Sequence, residues 1–215
     1  MVGIFDSGVG GYNSLYEIRR QTDRLDVIYL ADYKNAPYGV KTERELIPIV
    51  EENIKALLSR GCEWVLIACC TASAMYKYLP SDLRERSLPI IPPTVEAVRR
   101  EGAGRVTLIA TERTVKSGAF SEISHFAELC EIAAQPLVEV VERGDWKSPY
   151  IDSLIERIKE SEPSVLVLGC THFSALYRRF CEELTGVKII SPAQIGAKEI
   201  LKRVKNLGTS RVEYI

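Results

Sequence analysis

Val65-Leu66-Ile67-Ala68-Cys69-Cys70-Thr71-Ala72-Ser73 and, one hundred residues later, Val165-Leu166-Val167-Leu168-Gly169-Cys170-Thr171-His172-Phe173 decide how this chain is read. Each is a short apolar run rich in Val, Ile and Leu that ends in cysteine followed by threonine. Runs of this length, bounded by small and polar residues, read as buried strands. In an open α/β sheet the reactive groups gather just beyond the carboxyl ends of the strands. A thiol at each of two strand ends therefore points to one base and one acid facing a common substrate. The runs match without gaps from Val65/Val165 to Thr71/Thr171, which implies two similar half-structures. That pairing sets Cys70, not Cys69, opposite Cys170.

Working outward, strand patterns recur at Val2–Phe5, Val27–Ala31, Val65–Cys69, Leu88–Ile91, Arg105–Ala110, Val138–Val141, Val165–Gly169, Lys188–Ile190 and Arg211–Tyr214. Helical patterns lie between most of them. From Glu43 to Arg60 apolar residues fall at 46, 47, 50, 54, 57 and 58, with Pro48 in the first turns. From Tyr150 to Glu160 they fall at 151, 154, 155 and 158, and Ser191-Pro192 leads into a helix at 193–205. Alternating strands and helices imply an α/β fold with parallel sheets covered by helices. The prolines of Leu88-Pro89-Ile90-Ile91-Pro92-Pro93 should block regular helix and stiffen a domain crossing. A return crossing near Ile190-Ser191-Pro192 gives a first domain of residues 1–91 and 192–215, and a second of residues 92–191.

The chain has 215 residues, 46% hydrophobic and 27% charged, with a formal net charge of -1. That length suits one large or two small domains with a real core. No basic excess favours a nucleic-acid partner, and no basic or long apolar segment favours a membrane. Met1-Val2-Gly3-Ile4-Phe5 opens directly in a strand pattern, so a cytoplasmic protein is expected. The six cysteines include no C-x-x-C pair, so zinc has little support. Adjacent Cys69 and Cys70 make poor disulfide partners, and Cys62, Cys130 and Cys181 read as structural.

Asp6-Ser7-Gly8-Val9-Gly10-Gly11 follows the first strand. Such a loop lets backbone N–H groups approach an anion, but its glycine spacing is not that of a dinucleotide site. Read alone, it is equally a tight turn capped by Asp6. Ala31 to Gly39 follows the second strand and closes with Pro37-Tyr38-Gly39, long enough to reach over a cleft. His172 directly follows Cys170-Thr171, where it could relay a proton or favour a thiolate. His125 reads as structural. The G-x-S-x-G elbow of serine hydrolases is absent, and two strand-end thiols fit two-base proton transfer better than acyl transfer.

Phe5 to Gly11, Pro37-Tyr38-Gly39, Ala68-Cys69 with Thr71-Ala72-Ser73, Ala110-Thr111 with Thr114 to Gly118, and Leu168 to Phe173 occur in the order seen in glutamate racemases. From Ile4 to about Ala197 the chain resembles a short member of the cofactor-independent aspartate/glutamate racemase superfamily. The resemblance implies two pseudo-symmetric α/β domains with the substrate between them. It implies Cys69 and Cys170 as the two bases, acting on D- and L-glutamate respectively. Asp6, His172 and Glu142 would assist the thiols. Asp6, Ser7, Tyr38, Gly39, Cys70, Thr71, Thr171 and His172 would contact substrate. Implied too are no cofactor, no metal, L/D-glutamate as the small-molecule partner, a role in peptidoglycan synthesis, and room for a homodimer.

The chain departs from the resemblance at Cys70, where asparagine is usual. A thiol donates a weaker hydrogen bond than an amide. Ser174-Ala175 stands where Pro-Leu is common, and the chain is shorter than usual. Three readings stay open: a glutamate racemase that tolerates Cys70; a related enzyme acting on aspartate or another small acid; or a weakly active or inactive scaffold.

Overall fold

The computed structural model describes residues 1–204 and 208–215. In chain order the elements are β1 (Val2–Asp6), α1 (Tyr12–Gln21), β2 (Val27–Ala31), α2 (Glu43–Ser59), β3 (Trp64–Ile67), α3 (Cys70–Ser73), α4 (Ser81–Glu85), β4 (Ser87–Pro89) and α5 (Ile91–Arg100). There follow β5 (Arg105–Ala110), α6 (Glu112–Lys116), β6 (Glu128–Ala133), α7 (Gln135–Glu142), α8 (Pro149–Glu160), β7 (Val165–Gly169), α9 (Tyr177–Glu183), β8 (Lys188–Ile190), α10 (Pro192–Leu201) and β9 (Val212–Tyr214). The strands form two sheets, ordered β4-β3-β1-β2-β9 and β6-β5-β7-β8. All strand pairs among the described residues are parallel. This is the α/β fold with parallel sheets that the alternating pattern implied.

Parallel strands covered on both faces bury every residue, which is why β1 up to Phe5 and all of β7 are apolar without alternation. The largest core cluster joins the sheets: Phe5, Val65 and Ile67 belong to it together with Val106, Leu108 and Val167. Helix α2 shows how one covering element is specified. Thr42 and Glu45 form a reciprocal capping box, with the Thr42 N–H donating to Glu45 Oε2 at 2.8 Å. Leu46, Val50, Ile54 and Leu57 repeat at helical spacing and are buried, while Pro48 sits inside the helix on its exposed side.

Three expectations need correction, and one strand went unread. Val138–Val141 is not a strand but part of α7. Its β-branched residues are overridden by Pro136 at the helix start and by a face that buries Leu137 and Val138. The strand of that region is β6, which the pattern concealed: it is an edge strand whose Glu128 and Glu131 are exposed. Ile91-Pro92-Pro93 does not block a helix but opens α5, because a first-turn proline lacks only an N–H that would be unpaired anyway. The helix read over 193–205 is α10 and ends at Leu201; position 205 lies outside the described residues. No helix among the described residues is long and apolar enough to cross a membrane.

Ile54 is fully buried in the shared core. Ile54→Ala should cost about 2–5 kcal/mol of stability, read as a lower urea midpoint with an unchanged slope. A loss below about 1 kcal/mol would mean that α2 does not pack as described.

Candidate active site

Because every paired strand among the described residues is parallel, the loops that follow the strands gather at one end of each sheet, and the two ends meet. Register brings Phe5 beside Ile67, so the loop after β1 lies next to the turn after β3. Ala110 likewise pairs with Gly169 and sets Thr111 beside Cys170. Ser7, Tyr38, Gly39, Cys69, Cys70, Thr71, Glu142, Cys170, Thr171 and His172 all line one cavity. Of the residues singled out from sequence, Asp6 alone is absent from that wall. Its carboxyl is fully buried behind it, accepting from the Gly8 N–H at 3.0 Å and from the Thr171 hydroxyl at 3.0 Å. The second bond crosses from one half of the molecule to the other. Thr71, Thr111 and Thr114 make a further crossing, their hydroxyls 2.9 to 3.1 Å apart. Gly10 permits the contact: a β-carbon there would overlap the Thr171 side chain and lie 2.8 Å from the His172 nitrogen.

The free space inside the wall is about 20 Å³. That accommodates a water and not an amino acid. Cys69 and Cys170 hold matching positions around it. Each is the extended residue immediately before a helical turn, α3 in one case and the 3-10 turn Thr171–Leu176 in the other. The gap-free repeat had paired Cys70 with Cys170. Strand β7 runs two residues further than β3 in that alignment, so the helical turn begins one residue later and the residue facing Cys170 in structural role is Cys69.

The surroundings of the three thiols differ. Burial pushes the Cys69 thiol up to about 11, and the nearby Asp6 charge adds to this. The N–H groups of Ala72 and Thr71 act in the opposite sense, although neither completes a cap hydrogen bond, and the Cys69 thiol contacts Ser7 Oγ at 3.6 Å. Burial raises Cys170 well above the ordinary thiol range; Cys69 reinforces this, and the N–H groups of His172 and Phe173 oppose it. Cys70 is raised by burial, then by Cys170, Cys69 and Asp6, with no N–H group acting to favour its thiolate. Its sulfur is thus the one with no built-in support for a charge.

His172 lies between two partners. Its Nδ1 is 3.7 Å from Cys170 Sγ and its Nε2 is 3.0 Å from Glu142 Oε1. Burial raises the Asp6 carboxyl above the usual range, opposed by His172, by the Gly8 and Gly11 N–H groups and by Thr171. The Tyr38 ring lines the cavity, but its hydroxyl is committed to Asp32 at 2.6 Å. Asp32 in turn sits below the usual carboxylate range, because Tyr38, Asn35 and Asn53 outweigh its burial. Thr111, Gln135 and Val138 also line the cavity. Thr111 was within reach of the strand-end rule that found the cysteines; Val138 lay in the run misread as strand, and Gln135 in the unmarked connection before it.

Cys181 is exposed, while Cys69, Cys70 and Cys170 are buried with raised pKa values. Brief iodoacetamide treatment at pH 7 should therefore label Cys181 first and leave the three cavity thiols largely unmodified by mass spectrometry. Preferential labelling of Cys69 or Cys170 would contradict this description of the cavity.

The family described as Asp/Glu/Hydantoin racemase matches residues 12–200. The glutamate racemase of Aquifex aeolicus is 34% identical, over 99% of this chain and 86% of its own length. The crystal structure of glutamate racemase isoform RacE1 from Bacillus anthracis superposes with a TM-score of 0.86 at 26% identity, covering 100% of this chain and 86% of that one. The Thermus thermophilus glutamate racemase, solved with beta-chloro-D-alanine, gives 0.83 at 30% identity, covering 100% and 85%. A parallel α/β fold, paired strand-end thiols and these matches agree, and the chain belongs to the Asp/Glu/hydantoin racemase family, whose members are isomerases.

Proposed function

We propose that this protein interconverts L- and D-glutamate without a cofactor, by α-proton transfer between Cys69 and Cys170, and so supplies D-glutamate for peptidoglycan in the cytoplasm. The observation that carries the reading is the matched placement of the two thiols. Each precedes a helical turn, each faces the same cavity, and each has N–H groups that favour its thiolate.

With L-glutamate bound, the Cys170 thiolate removes the α-proton from one face, and the Cys69 thiol delivers its proton to the other. The product is D-glutamate, with the thiolate now on Cys69; the reverse reaction runs in the opposite sense. His172 Nδ1, 3.7 Å from Cys170, takes the thiol proton that creates the base, and Glu142 stabilises the imidazolium from Nε2. Ser7 and the buried Asp6 are the corresponding groups on the Cys69 side. The carbanion forms without an electron sink, so N–H and hydroxyl donors must meet the growing charge on the α-carboxylate. Excluding water strengthens each of those interactions. Residues 1–91 with 192–215, and residues 92–191, act as two domains that part to admit substrate, because about 20 Å³ does not admit it.

Cys70 is read as a wall residue that weakens a carboxylate contact, not as a base. The detailed match at Asp6 to Gly11 and at Pro37 to Gly39 favours glutamate over aspartate.

Chiral chromatography of L-glutamate and D-glutamate incubated with the protein tests the reading. Wild type should racemise both. Cys170→Ala should abolish racemisation with the fold intact by circular dichroism, and Cys70→Asn should keep or raise activity. Full two-way turnover by Cys170→Ala removes the two-base scheme; collapse in Cys70→Asn makes Cys70 a base.

The pH dependence follows from the raised thiols. A base with a pKa near 11 is mostly protonated at neutral pH. Its thiolate fraction grows about tenfold per pH unit below that value. With D-glutamate, for which Cys69 is the base, kcat/KM should therefore climb between pH 7 and pH 9. A flat profile with D-glutamate over that range would contradict a Cys69 thiolate formed by loss of its proton to solvent.

A further inference from the structure

Gln135 opens α7 just beyond the carboxyl end of β6 and lines the cavity that holds the thiols. Its side-chain Oε1 is buried and has no hydrogen-bond partner. Buried polar atoms are nearly always partnered, so an exception in a cavity wall calls for an account. The amide is pressed against Gly39, where a β-carbon would overlap Oε1. Glycine at 39 is therefore what lets this amide reach the wall at all.

A count of donors shows what is missing. The substrate proposed above carries two carboxylates, yet neither lysine nor arginine lines the cavity among the described residues. Neutral donors must hold both groups. Most of those present are already committed. The Thr171 hydroxyl donates to Asp6, and the Tyr38 hydroxyl donates to Asp32. Thr71 and Thr111 bond each other and Thr114. His172 Nε2 is held by Glu142. The Gln135 amide adds two N–H donors to this wall.

Position decides which carboxylate it serves. A second, more open cavity of about 440 Å³ shares Gln135, Val138 and Glu142 with the first but touches none of the cysteines. Gln135 thus stands where the inner cavity that holds the thiols adjoins the outer one. A substrate whose α-carbon lies between Cys69 and Cys170 has room for its side chain toward that junction. Glu139 lines the outer space alone and repels a carboxylate that would slide further out, while Glu142, which lines both, is held by His172.

We propose that Gln135 is a positioning residue that reads the distal carboxylate of a five-carbon dicarboxylic amino acid, donating from Nε2 once the amide turns over in place. Rotation about its terminal torsion exchanges Oε1 for Nε2 with little change of shape. The inference deepens the glutamate reading and rests on it.

Steady-state kinetics with L-glutamate, D-glutamate and L-aspartate on wild type, Gln135→Met and Gln135→Glu test it. Gln135→Met should raise KM for both glutamate enantiomers about 10- to 100-fold, with kcat within about twofold, as loss of uniform binding requires. Gln135→Glu should raise KM further, by placing like charges together. Preference for glutamate over aspartate should fall in both variants, because the shorter side chain does not reach residue 135. Unchanged KM in the two variants, with melting temperatures near wild type, overturns the proposal. A wild-type KM in Gln135→Glu alone also overturns it, because that outcome assigns the amide to the substrate ammonium. Absence of glutamate turnover in the wild type itself would instead sink the glutamate reading, and this proposal with it.

Discussion

The hydrogen bond between the Thr171 hydroxyl and the buried Asp6 carboxyl is the joint on which the site depends. Asp6 ends β1 in one sheet, and Thr171 follows β7 in the other. Parallel sheets send all their following loops to one end, but nothing in a single sheet makes two such ends face each other. Here the facing is held by Asp6 with Thr171, by Asn13 Nδ2 donating to the Thr171 carbonyl at 3.1 Å, and by the Thr71–Thr111–Thr114 hydroxyls. These polar contacts are confined to the site, while beneath them one apolar core runs through both sheets. Polar joints can exchange partners with water when the halves separate, whereas apolar burial resists separation. The arrangement suits the parting of two domains proposed above.

Dryness has a cost and a use. Removing Cys69 and Cys170 from water raises both thiols, which makes a resting thiolate scarce. The same exclusion strengthens every dipole aimed at the reacting centre. The two sides of the cavity answer this differently. Cys170 has an imidazole at 3.7 Å, itself held by Glu142, whereas Cys69 has only a hydroxyl at 3.6 Å and a buried carboxyl nearby. In the proposed reaction the two directions therefore have unequal proton relays, although the overall equilibrium between enantiomers is fixed by their symmetry.

Much of this was legible in the sequence, for identifiable reasons. The runs ending at Cys69 and Cys170 stood out because a strand buried on both faces is apolar throughout and stops abruptly where loops begin. Helix α2 was legible because its cap and its apolar spacing agree. Strand β6 was not, because an edge strand with exposed Glu128 and Glu131 lacks that signature. Its misreading carried a further loss: α7 was taken for a strand at Val138–Val141, so Gln135 fell in a connection with no pattern to mark it. The choice between Cys69 and Cys70 was hidden for another reason. Two strands of unequal length place the same Cys-Thr pair one residue apart around the cavity, and only backbone geometry reveals the slip.

The central claim is that two different thiols serve the two faces of one carbon. It is tested most directly by following isotope in heavy water at the earliest measurable turnover, by proton NMR combined with separation of the enantiomers. Starting from either enantiomer of glutamate, the account predicts deuterium at the α-carbon of the product enantiomer while the remaining substrate keeps its protium. Deuterium entering the recovered substrate as fast as the product would mean that a single group, in exchange with solvent, serves both faces, and would contradict the paired roles of Cys69 and Cys170.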